Sequence, residues 1–151
     1  MKKATIAIGA LAVVVAGAIT LFGNRSTSET ITSNQVLTWD CEIPEFQPES
    51  IMLTCGDGGM YISKIKWNSW SSSGATGTAT YNVNNCDPDC ADGTMITAPV
   101  QVELSNLVTY KGKHYLRSMI IKTRDGAPLP QSGQSTYSWD VMEFAESMND
   151  S

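Results

Sequence analysis

Between Asn84 and Gly93 the chain reads NNCDPDCADG, with two cysteines and three aspartates in ten residues. Three chemistries use such residues: cation binding by carboxylates, thiol–disulfide exchange, and a structural cross-link. A calcium loop of the EF-hand kind needs a ligand at its fifth position, glycine at its sixth and glutamate at its twelfth. Counted from Asp87, those positions hold Ala91, Asp92 and Ala98. The register fails, and Asp87, Asp89 and Asp92 read as a solvated acidic loop. Exchange chemistry favours a C-x-x-C pair at a helix start, which lowers a thiol pKa. Cys86 and Cys90 have three residues between them, and no helix start follows.

The whole chain has four cysteines: Cys41, Cys55, Cys86 and Cys90. Together they could hold zinc tetrahedrally, but zinc sites usually show two close pairs and only one is close here. The compartment decides between zinc and cross-links. Lys2 and Lys3 precede an apolar run from Thr5 to Phe22, TIAIGALAVVVAGAITLF, which is the pattern of an export signal. That run is long for a cleaved signal and just long enough to span a bilayer. Ala16-Gly17-Ala18 offers a cleavage site, so cleavage and anchoring are both open. Leu21 to Asn24 has the form of a lipoprotein box with asparagine where the lipidated cysteine belongs. An even cysteine count in an exported chain implies two disulfides and no metal site. Proximity favours Cys41–Cys55 and Cys86–Cys90, while the other two pairings stay open.

Charge narrows the partners. The chain has 10 basic and 15 acidic residues. Losing residues 1–18 would remove two lysines and leave a net charge of −7. No basic patch is visible, which argues against nucleic acid and against anionic lipid surfaces. Membrane contact is expected only through the N-terminal segment.

Catalytic residues are sparse. The single histidine, His114, lies within an expected strand, and no G-x-S-x-G elbow accompanies it. Glu42, Glu45 and Glu49 cluster among prolines in an expected surface loop. No phosphate loop, H-E-x-x-H or dinucleotide fingerprint is present. No cofactor is expected.

Trp67-Asn68-Ser69-Trp70 is the one stretch that suggests a ligand. On a regular strand, three-residue spacing sends the two rings to opposite faces. One ring would enter the core; an exposed Trp70 beside Asn68 could stack on a sugar. The blander alternative puts both rings in the core.

The positioning elements follow from the hydrophobic pattern. The length suits one domain plus extensions. Residues 1–23 are the signal or anchor, and 24–35, rich in Ser and Thr, are a linker. Residues 36–124 form the disulfide-stapled β-domain. Pro44 and Pro48 exclude a helix early in it. Val100, Val102 and Leu104 alternate with Gln101 and Glu103, and Asp57-Gly58 and Gly112 mark turns. About six strand-like runs predict a mainly β fold, a small antiparallel sandwich or barrel. Residues 125–138 read as a loop. Val141, Phe144, Ala145 and Met148 fall at helical spacing, and Asp140 with Glu143 can cap, so 139–149 read as a short C-terminal helix.

Five motifs, in order, resemble a family of small exported actinobacterial proteins, secreted or lipoprotein, without an assigned activity. They are Cys55-Gly56-Asp57-Gly58, Trp67-x-x-Trp70, Ala75-Thr76-Gly77-Thr78 running to Tyr81, Asn84-x-Cys86-x-Pro88-x-Cys90-Ala91-x-Gly93, and Pro99-Val100-x-Val102-x-Leu104-Ser105. The likeness covers residues 55–105. It departs where Ala98 replaces an aromatic and where the lipobox cysteine is missing. It implies export, disulfides and a β-rich domain, and it assigns no catalytic residue.

The expected function is therefore a non-enzymatic exported β-domain that binds an extracellular or envelope partner. It would be secreted or anchored at the outer face of the cytoplasmic membrane. The alternatives are a glycan-binding module of the cell envelope and a hydrolase built on carboxylates.

Overall fold

The computed structural model describes residues 35–149. The signal or anchor expected over 1–23, and all but the last residue of the linker expected over 24–35, lie outside the described residues. Among those described, the protein is mainly β. The strands are β1 (Val36–Asp40), β2 (Ile43–Glu45), β3 (Ser50–Met52), β4 (Met60–Ser71), β5 (Gly74–Asn84), β6 (Met95–Tyr110), β7 (Lys113–Thr123) and β8 (Thr136–Asp140). One helix, α1 (Glu143–Asn149), follows.

The hydrophobic pattern builds the centre of the sheet. On β5, Ala75, Gly77, Ala79, Tyr81 and Val83 face inward and Thr76, Thr78 and Thr80 do not. Opposite them on β6, Val100, Val102 and Leu104 are buried while Gln101 and Glu103 are exposed, as the alternation required. Met119 and Ile121 of β7 complete the same layer across from Leu104 and Val102. Each strand thus places alternate side chains in one core. The β6–β7 turn has only Lys111 and Gly112 between the strands, both at positive φ (49° and 77°). That is the twist a two-residue hairpin needs, and glycine supplies half of it without strain.

The strand order is β2-β1-β7-β6-β5-β4-β3. β6 runs along one side of β7; β1 and β8 share the other, β1 beside His114–Tyr115 and β8 beside Ser118–Lys122. All pairings are antiparallel except β1 with β7, which is parallel. The sheet curls until its ends approach. Asp40 of β1 accepts a hydrogen bond from the Met52 N–H of β3, and Trp70 Nε1 of β4 donates to the Val36 carbonyl of β1. The Cys41–Cys55 disulfide ties the same ends together.

The strand count is eight rather than six. β2 has only three residues, with Pro44 at its centre, and β8 alternates polar residues with Tyr137 and Trp139 over only five positions. Thr136–Ser138 therefore belong to β8 and not to the loop expected over 125–138. The helix expected over 139–149 is confined to Glu143–Asn149, because β7 holds Trp139 and Asp140 in strand geometry. Asp140 Oδ1 still accepts from the Met142 N–H ahead of the helix. The buried face is Met142 and Ala145, packed on Leu37, Trp39 and Tyr115; Met148, expected inside, is 56% exposed. Arg117 of β7 grips the helix from the sheet. Its guanidinium donates two bonds to Glu146, at 2.9 and 2.8 Å, and a third to Asp140. Those charge-assisted bonds, Asp140 first, raise the Arg117 pKa further.

Candidate functional site

The four cysteines form two disulfides, Cys41–Cys55 and Cys86–Cys90. The second closes the loop between β5 and β6. Around it the polar side chains serve the loop's own backbone. Asn84 accepts from the Cys86 N–H and donates to the Cys90 carbonyl. Asn85 accepts from the N–H groups of Asp87 and Thr94, and Asp89 from those of Ala91 and Asp92. The short loop is a staple whose acids and amides hold its shape. Among the described residues no three His, Cys, Asp or Glu side chains gather to hold a metal ion.

Trp67 and Trp70 do not point to opposite faces. Their rings meet edge to face, centroids 4.7 Å apart. The cause is a bulge: Trp67 pairs with Gly77 and Ser69 with Thr76, so two steps on β4 match one on β5. The extra residue shifts the alternation and turns Trp70 inward. Both rings pack against the main core. Trp70 also meets Phe46 at 5.8 Å, and Trp67 Nε1 donates to the Pro48 carbonyl. Asn68, at the bulge, is exposed and faces the other way. It lines a shallow groove of about 190 Å³ on the outer face, beside Thr76, Thr78, Gln101, Glu103 and Lys122. The structure thus separates the two residues that the sequence grouped as a ligand contact.

The larger openings lie along β8. A cleft of about 310 Å³ opens between the β3 end of the sheet and the β8–α1 junction. Leu53, Trp139 and Phe144 supply apolar wall, the Cys41–Cys55 disulfide closes one end, and Asp140 and Glu143 supply carboxylates. A recess of about 260 Å³ shares Cys41, Cys55 and Phe144 with it and adds Ile43, Asp40 and Glu42. Ile43 is 61% exposed. Among the described residues, no lysine or arginine lines either opening. Near the recess, burial and then the charge of Asp40 hold the Glu45 carboxyl above its ordinary pKa. This site was hard to foresee, because its walls come from residues 41–55 and 139–147. The one local signal was the alternation of Tyr137 and Trp139, whose rings lie 4.3 Å apart.

The remaining candidates stay apart. His114 is exposed on β7, where its Nδ1 shares a 3.1 Å hydrogen bond with the Thr109 hydroxyl. Glu42 and Glu49 are exposed on either side of β2, and Glu45 is half-buried on it.

No family model, curated protein or solved structure matches the chain.

Proposed function

We propose that this protein is an exported, non-enzymatic binding module that takes a protein partner at the cleft beside β8. The cleft carries the reading. It leaves Leu53, Trp139 and Phe144 as open apolar wall with carboxylates at the rim, on a frame closed by a disulfide. An open apolar wall rimmed by polar groups suits an anchor side chain of a protein partner. Export is supported by the two disulfides, which persist in oxidising compartments, and by the N-terminal lysines and apolar run. The likeness to small exported actinobacterial proteins belongs to the same reading.

The test is crosslinking on intact host cells with a membrane-impermeant amine reagent, read by mass spectrometry. Lys111, Lys113 and Lys122 are exposed and available to it. The expected result is crosslinks to an envelope or extracellular protein. Recovery of the chain only from the cytoplasm would end the proposal.

A second reading places a glycan on the outer face. Amides and hydroxyls of Asn68, Thr76, Thr78 and Gln101 line one groove there, without Trp70. Asn68→Ala with Gln101→Ala would then abolish retention on cell-wall polysaccharide. Unchanged retention would dismiss it.

A further inference from the structure

Strand β8 has one edge in use and one open. The Thr123 N–H donates to the Ser135 carbonyl and the Val141 N–H to the Arg117 carbonyl, in the register that pairs Ile121 with Tyr137. In an antiparallel ladder this directs the backbone groups of Tyr137 and Trp139 to β7. Those of Thr136, Ser138 and Asp140 point the other way, where no strand lies among the described residues. Natural proteins blunt such edges with lysine, proline or a bulge. β8 is short and ends on Asp140, but it carries no lysine, proline or bulge, and Tyr137 on it is 41% exposed. A recess of about 520 Å³ lies over the β7–β8 face, between Ile120 and Thr136–Ser138, and the 310 Å³ cleft opens beside Trp139 and Asp140.

We propose that an extended, cationic segment of a partner protein adds to β8 as a further strand of the sheet. This rests on the binding-module reading and names its partner chemistry. Main-chain hydrogen bonds to Thr136 and Ser138 would supply affinity, and alternate side chains specificity. An apolar side chain would enter the cleft against Phe144 and Leu53. Lysine or arginine would face the rim at Glu143, which is exposed, and Glu42. Charge selects this occupant over a second copy of the chain. Self-pairing would bring one acidic rim against another on a protein of net charge −5.

The test is selection of displayed random octapeptides on the oxidised full-length protein, followed by anisotropy on the enriched peptides. The expected peptides are rich in Lys or Arg, alternate with β-branched residues, and lack Asp and Glu. Ser138→Pro removes an outward N–H without touching the ladder to β7. It should weaken binding roughly tenfold or more, the scale of losing one or two main-chain bonds. Glu143→Lys, at an exposed site, should remove the preference for cations. If Ser138→Pro disturbs the fold by circular dichroism, Glu143→Lys decides alone. No enrichment, enrichment without cations, equal binding by a folded Ser138→Pro, or a dimer that Ser138→Pro dissociates would each overturn the proposal. Crosslinking to an envelope partner that survives Ser138→Pro would leave the binding module standing and remove only the added strand.

Discussion

Trp67 and Trp70 pack edge to face with their planes at 79°, although a regular strand would separate them. The contact makes Trp70 part of the frame. Its ring meets two aromatic neighbours, and its Nε1 joins β4 to β1 at 2.8 Å. Trp70→Ala should cost about 3 kcal/mol in urea unfolding, the range for truncating a large aromatic in a core. Unchanged stability with lost sugar binding would restore the stacking role expected from sequence.

Gly77 is the partner of that bulge. A Cβ there would lie 2.6 Å from the Lys66 carbonyl oxygen, a backbone atom that cannot rotate aside. Gly77→Ala should destabilise by about 1–3 kcal/mol through overpacking. Thr78→Ala, one residue on and half-buried, is the control and should change little. Equal midpoints for the two variants would refute the close approach.

The disulfides should contribute unequally. Cys41–Cys55 spans 14 residues of sequence and Cys86–Cys90 spans 4. Loop-closure entropy gives about 3 kcal/mol for the first and about 2 for the second. The short loop is also held by Asn84, Asn85 and Asp89, which remain when the bridge is removed. Paired Cys→Ser variants compared by thermal unfolding should therefore rank Cys41–Cys55 well above Cys86–Cys90. The reverse order would contradict this.

These residues also show what was legible in the sequence. Val100, Val102 and Leu104 announced their strand and its inward face because they alternate strictly with Gln101 and Glu103. Proximity favoured the cysteine pairs that form, without excluding the other two pairings. The bulge at Asn68 was not legible, since it depends on how β4 registers against β5; Gly77, nine residues away, was the only trace. β8 was missed because Tyr137 and Trp139 stand between polar residues in a five-residue run. The cleft was out of reach because the curl of the sheet, rather than any local pattern, brings Leu53 to Phe144.

Glu45 should make stability respond to pH. Burial and Asp40 raise its pKa in the folded state above the ordinary value of 4.5. The folded state therefore binds that proton more tightly than the unfolded state. The stabilisation this gives is fully present below the ordinary value and is lost as pH rises through the raised one. Near pH 7 the ionised group opposes folding. Glu45→Gln should raise the thermal midpoint at about pH 7 and leave it unchanged at about pH 3. An equal shift at both would show that charge is not the cause.

The state of the four thiols in the living host decides whether this domain is exported and stapled. The measurement is alkylation of intact cells and medium with a membrane-impermeant maleimide, before and after reduction, followed by intact mass. The expected outcome is no label before reduction and four labels after it, on protein outside the cytoplasmic membrane. Four thiols labelled without reductant, or protein reached only after lysis, would contradict an exported and stapled domain.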